Sequence, residues 1–249
     1  MRWGPLHGLG TALQLLTRLP LADLEYEEGD LLESVPWYPL VGAGLGLALA
    51  GLGVLGVKAI APAVGVVLVL GAEALLTGAL HDDAVADVAD GLGGGRDTAS
   101  RLRIMKDSAV GAYGALALIL VTLMRAACLW ELPLVQWVPA LVLAHALGRT
   151  VMLPVMRVLP YARSEGVAGE LMAGLDWRRV GLSAGICTVI ALAAAGWWGL
   201  LLVPLAVGLV VGFVRLYRAQ LGGVTGDGLG AVCIAGELLT LLVLTAAWH

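Results

Sequence analysis

The chain has 249 residues, 59% of them hydrophobic and 14% charged, with a formal net charge of −4 and a mean hydropathy of +0.91. Soluble domains average about 25% charged residues, so this composition excludes an ordinary water-soluble domain and names lipid as the solvent. The small acidic balance gives no basis for nucleic-acid binding. Cys128, Cys187 and Cys233 are too far apart for a metal motif and read as apolar packing residues.

In chain order, residues 1–19 read as an interfacial helix, since polar residues interrupt the apolar core that a cleavable signal peptide needs. The acidic stretch 23-DLEYEEGDLLE-33 reads as a solvated loop. Apolar runs follow at 37–57, 62–80, 109–130, 135–156, 180–198, 199–217 and 229–248. Each approaches the roughly 20 residues that a helix needs to cross a bilayer. The fifth and sixth meet at 196-GWWG-199, where a hairpin puts paired tryptophans at an interface. The predicted fold is all-α: one polytopic membrane helix bundle over 1–249, with about seven transmembrane helices plus the N-terminal interfacial helix. Gly42 and Gly46 in the first span have G-x-x-x-G spacing, which suits close helix packing within the chain and equally admits a homo-oligomer.

Basic residues set the orientation. Arg2, Arg18, Arg96, Arg101, Arg103, Lys106, Arg157, Arg163, Arg178, Arg179, Arg215 and Arg218 fall on one side of a seven-span chain, twelve of the fifteen. The excess of positive charge places that side and the N-terminus in the cytoplasm and His249 outside. The expected location is the bacterial cytoplasmic membrane. Lys58 marks the other side, and Arg125 and Arg149 lie within apolar runs.

Residues 81–91 read HDDAVADVADG, four aspartates at the end of an apolar segment. If the second span continues as a helix, positions 83, 87 and 90 fall within about 60° of azimuth, with Asp82 about 100° away. Asp83, Asp87 and Asp90 then form one stripe of mutually repelling carboxylates, which a cation relieves. A hard divalent ion such as Mg²⁺ takes one or two carboxylates and fills its shell with water and phosphate oxygens. Asp82 is a spare ligand. Glu73, ten residues before Asp83 in the apolar run, either faces the same cavity or is a packing residue.

Beyond 91-GLGGG-95, Arg101, Arg103 and Lys106 can serve as positive-inside residues or as phosphate ligands. Asp107 and Ser108 open the third span, as an N-cap or beside the substrate. Arg149 must face an anion in the bundle interior, because an unpaired charge there costs roughly 2.5–3.5 kcal/mol. Tyr161, Arg163 and Glu165 follow at the cytoplasmic surface. The stretch 222-GGVTGDGLGA-231 supplies a glycine-rich approach for a ligand, with Thr225 beside it. Asp227 is an N-cap or a further metal ligand, and Glu237 lies in the last span.

The segments 77-TGALHDDAVADVADGLGGG-95, 104-IMKDSAVGAYGALAL-118, 160-PYARSEG-166 and 222-GGVTGDGLGA-231, with 15-LLTRLP-20 and 38-YPLVGAGLG-46, resemble the cobalamin synthase family, the adenosylcobinamide-GDP ribazoletransferases. The resemblance covers most of the chain, with its motifs in order. It implies an Mg²⁺-dependent membrane enzyme that joins α-ribazole, or its 5'-phosphate, to adenosylcobinamide-GDP with release of GMP. It carries the family's three aspartates onto Asp83, Asp87 and Asp90. Asp227 and Glu237 join them as candidate catalytic residues, with one aspartate or Glu237 accepting the attacking hydroxyl's proton, and Arg101, Arg103, Lys106, Asp107, Ser108, Arg149, Tyr161, Arg163 and Thr225 would bind substrate. The family usually has H-x-D-G at the acidic cluster; here Ala84 replaces the glycine, and Asp82 stands at a usually apolar position. Two other classes are weaker fits. CDP-alcohol phosphatidyltransferases carry D-G-x-x-A-R then G-x-x-x-D-x-x-x-D, absent here, and a cation transporter leaves the cytoplasmic arginine and glycine clusters without a role.

Overall fold

The structure, a computed structural model, describes residues 6–19 and 29–248. Arg2, the acidic stretch up to residue 28 and His249 lie outside the described residues. Twelve helices follow in order: α1 (His7–Leu16), α2 (Asp30–Ser34), α3 (Tyr38–Ala59), α4 (Pro62–Thr77), α5 (Leu80–Gly94), α6 (Thr98–Ile104), α7 (Ala112–Glu131), α8 (Trp137–Val158), α9 (Val167–Gly174), α10 (Trp177–Ala195), α11 (Trp197–Leu221) and α12 (Gly226–Trp248).

Among the described residues, six helical segments are long and apolar enough to cross a membrane, and the pair α4–α5 makes a seventh crossing if the two are one broken span. Each predicted apolar run holds a helix, and Gly196, at a φ of 54°, turns α10 into α11. α8 is the central helix, with 78% of its apolar window buried against 22% for α7 and for α11. Those two offer most of their surface to lipid, so their side chains need only be apolar. α8 instead packs against α3, α10 and α12. Gly42 and Gly46 lie on that α3–α8 seam, where a Cβ would collide with the carbonyls of His145 and Leu141. The G-x-x-x-G pair is therefore used inside the chain.

The expectation of one continuous helix through Leu80 is overturned. Gly78 and Ala79 both adopt left-handed backbone, with φ of 67° and 54°, and α5 leaves α4 at 89°. Left-handed backbone at a residue with a Cβ costs roughly 1–2 kcal/mol, so the packing of α5 on α12 and α7 must hold the break. Its consequence is positional: α4 runs for only about 24 Å, and α5 turns across its end instead of extending it. Asp30 corrects the reading of the acidic stretch as a solvated loop, for it is buried and its Oδ2 lies 3.0 Å from His7 Nε2. α1, placed by sequence at an interface, is partly buried against α2 and α3.

Candidate active site

α5 presents its aspartates to three different surroundings. Asp82 is turned inward, and Arg125 Nη1 donates to its Oδ1 at 3.2 Å. Asp83 is exposed and Asp87 half-buried, and neither side chain has a hydrogen bond or ion pair among the described residues. The charges acting on Asp87 are, in order, those of Asp83, Asp227, Arg163 and Asp90. Asp90 is buried and faces the start of α7, where Gly111 N–H donates to Oδ2 at 2.7 Å and Gly114 N–H to Oδ1 at 2.9 Å. Those amides belong to the first turn of α7, which has no capping side chain of its own. A Cβ at Gly111 or Gly114 would strike the carboxylate, so both positions must be glycine for it to seat.

Two loops bring further charge to this end of the bundle. Val224 N–H donates to Pro160 O and Ala162 N–H to Val224 O, both at 2.9 Å, pairing Tyr161 with Val224 in a short parallel bridge. The bridge sets Arg163 beside the start of α12, where Arg163 Nη2 donates to Asp227 Oδ2 at 2.6 Å and to Met105 O at 3.2 Å. Of the two roles open to Asp227, the N-cap belongs to another residue: Thr225 Oγ1 accepts from Gly228 N–H at 3.0 Å. Asp227 is left facing the aspartates of α5. Asp83, Asp87 and Asp227 are near enough to act on one another, with the Arg163 guanidinium paired to Asp227 and acting on Asp87, an arrangement with net negative charge. Tyr161 packs against the backbone of Gly166 and Gly169.

α6 carries the basic residues. Asp97 caps it by accepting from Ser100 N–H at 2.8 Å, and that bond holds the Asp97 carboxyl below the usual carboxylate range. Arg101 Nη1 donates to Gln220 O at 3.3 Å, tying α6 to α11, while Arg103 and Lys106 are exposed without an ion pair among the described residues. The N-cap role considered for Asp107 is corrected: Asp107 Oδ1 accepts from Ala109 N–H at 3.0 Å in a turn before α7, and Ser108 is exposed there.

A second charged cluster lies inside the bundle. Arg125 pairs with Glu73 and Arg149 with Glu237. Arg125 Nη2 also lies 3.4 Å from Glu237, and His145 Nδ1 lies 2.9 Å from both Glu237 Oε1 and Arg149 Nη1. All five side chains are buried. Glu73, His145 and Glu237 are the one trio among the described residues whose potential ligand atoms lie within 4.8 Å of one another. Two guanidiniums already neutralise its two carboxylates, so a cation would meet like charge. The cluster is a network of buried ion pairs joining α4, α7, α8 and α12. Glu73, Glu237 and Arg149 therefore stand apart from the aspartate stripe. The anion that Arg149 required is Glu237. Sequence reasoning missed the partnership of Arg125 and His145, although a lone arginine at membrane depth signals a buried acid.

The free carboxylates form no closed cage. Their donor set still fits a hard divalent ion, because Mg²⁺ binds through one or two carboxylates and takes its other ligands from water and phosphate. Asp83 and Asp87 offer unengaged oxygens, and Asp227 has one oxygen committed to Arg163.

A family model described as cobalamin-5-phosphate synthase matches residues 8–245. The adenosylcobinamide-GDP ribazoletransferase of Brevibacillus brevis is 37% identical over 243 residues, covering 95% of this chain and 97% of the relative. The enzyme of the same name from Mesorhizobium japonicum is 38% identical, covering 97% and 94%, and that from Leptothrix cholodnii is 40% identical, covering 93% and 92%. No solved structure matches the chain. With the aspartate helix, the two bridged loops and all but the last turn of the apolar spans inside the matched region, the chain belongs to the cobalamin-5-phosphate synthase family.

Proposed function

We propose that the protein is an adenosylcobinamide-GDP ribazoletransferase of the bacterial cytoplasmic membrane, with its reaction centre at Asp83, Asp87 and Asp227 on the cytoplasmic side. A ribose hydroxyl of α-ribazole, or of its 5'-phosphate, attacks the cobinamide-side phosphorus of adenosylcobinamide-GDP. A new P–O bond forms to the ribose oxygen, the bond to the GMP oxygen breaks, and the hydroxyl proton passes to a base. The full-length likeness to relatives of that name supports the reading, and the observation that carries the site is the pair of unengaged carboxylates on α5 beside the Arg163–Asp227 contact.

Phosphoryl-type transfer asks a protein for positioning and charge neutralisation more than for covalent chemistry. Asp83 and Asp87, with Asp227, would hold Mg²⁺. Mg²⁺ supplies charge neutralisation on the diphosphate and on the departing GMP. Arg163 is anchored by Asp227 and Met105 O, with guanidinium charge left to face a phosphate oxygen. Arg103 on α6 and Lys106 in the turn after it add exposed positive charge. A carboxylate oxygen of Asp83 or Asp87 that does not hold the ion accepts the proton; Glu237, buried against Arg149, is not placed to do so. Purified protein in liposomes with adenosylcobinamide-GDP, α-ribazole and Mg²⁺ should release GMP and form the cobalamin in equal amounts. Absence of both products contradicts the assignment. A lipid product from a CDP-alcohol donor favours the phosphatidyltransferase class, and protein-dependent cation flux the transporter class.

A further inference from the structure

A cavity of ≈ 240 Å³ opens beside Asp227, between α1, the start of α3, α5, α8, α9 and α12. Its walls are mostly aliphatic, with Met152 and Met156 from α8 and Ala168 and Leu171 from the short α9. Asp227 and His81, from the two helices that carry the aspartates, bring polarity to the lining, and Tyr38 adds a phenol ring. His81 opens α5, is only 5% exposed and lines the cavity, yet its side chain makes no hydrogen bond or ion pair among the described residues. Its ring nitrogens are not among the polar atoms sealed in protein without a partner, so they keep access to open space.

Size and chemistry select among the substrates of the proposed reaction. Ligand pockets for drug-sized molecules run from roughly 300 to 1,000 Å³. The cavity lies just below that range, so it suits one heteroaromatic base and cannot enclose a corrin ring with its amide side chains. A guanine is the alternative base, but it carries several donors and acceptors that aliphatic walls would strip of water without replacement. A benzimidazole is apolar over both faces and most of its edge, with one free ring nitrogen that accepts a hydrogen bond.

We propose that this cavity is the seat of the lower base of the nucleoside substrate, with His81 donating to the unglycosylated ring nitrogen and the ribose emerging at Asp227. The assignment rests on the ribazoletransferase reading. It adds a binding residue, His81, and walls that set base selectivity, Ala168, Met152 and Met156. A base seated here places its ribose hydroxyls toward the Asp87–Asp227–Arg163 group, where the phosphate must arrive.

Equilibrium dialysis of labelled α-ribazole against the detergent-solubilised protein, without corrinoid or metal, tests the seat independently of turnover. Wild type should bind, Ala168→Phe should weaken binding about tenfold or more by filling the cavity, and His81→Phe by about tenfold through loss of the donor. His81→Gln, which keeps an N–H, should fall between wild type and His81→Phe. In assays of GMP release, the same variants should raise KM for α-ribazole while leaving KM for adenosylcobinamide-GDP within about twofold, which also shows that they fold. Unchanged α-ribazole binding in both Ala168→Phe and His81→Phe, or no binding to wild type, overturns the seat. A wild type that binds α-ribazole but releases no GMP overturns the ribazoletransferase reading and leaves the seat standing.

Discussion

Arg163 donates to Asp227 at 2.6 Å across two loops that lie far apart in sequence, and the same nitrogen donates to Met105 O at 3.2 Å. One guanidinium therefore joins the segment after α8, the start of α12 and the end of α6. Without it, Asp227 would stand beside Asp83 and Asp87 with no compensating charge.

Arg163→Ala should lower kcat/KM for adenosylcobinamide-GDP about 100-fold, the scale for one lost charged donor at a phosphoryl centre. Arg163→Lys should recover part of it, because the charge returns without the planar fork. Steady-state GMP release measures both; equal kinetics for Arg163→Ala and wild type would remove Arg163 from the site.

Asp90 should separate from Asp83 in what it controls. Asp90→Ala strips two amides of α7 of their acceptor and should cost about 1–3 kcal/mol of stability, with Asp90→Asn milder because one acceptor oxygen stays. Asp83→Asn should leave the melting temperature unchanged and abolish turnover. Thermal unfolding in detergent, read beside activity, distinguishes the two roles.

The buried network predicts non-additivity. Arg149→Leu leaves Glu237 charged without its main partner and should destabilise by about 3–5 kcal/mol. Combining it with Glu237→Gln should restore part of that loss, since the orphaned charge is gone, with a coupling of roughly 0.5–3 kcal/mol. Expression level and thermal unfolding of the two single variants and the double variant measure the cycle.

Orientation is open to direct labelling. A reporter placed after residue 100, between α5 and the end of α6, should behave as cytoplasmic, and one at the C-terminus as external. The reverse pattern would move the reaction centre to the far side of the membrane.

The spans were legible because lipid asks only for unbroken apolar length, and that is written residue by residue along the chain. The α10–α11 hairpin followed from length alone. The break between α4 and α5 was not legible: Gly78 is an ordinary glycine in an apolar run, and Ala79 is held left-handed by tertiary packing that no local pattern encodes. The separation of the four aspartates into different surroundings had the same cause. Helix periodicity put Asp82 apart from the other three, as the structure has it. It could not tell that Asp90 would meet the amides of α7, nor that Arg125 would draw Asp82 and Glu73 inward. Those partners come from helices distant in sequence. His81 stood at the head of the acidic motif, but its lack of a partner becomes visible only with the surrounding helices in place.

GMP release measured against Mg²⁺ concentration for wild type and Asp87→Asn in liposomes decides whether Asp87 and the ion form the reaction centre. The expected result is no release without the ion, saturable release in wild type, and a loss of at least about 100-fold in Asp87→Asn at every Mg²⁺ concentration, with the variant inserted and folded as wild type. Release that persists after chelation, or an Asp87→Asn variant that matches wild type across the titration, would contradict that assignment.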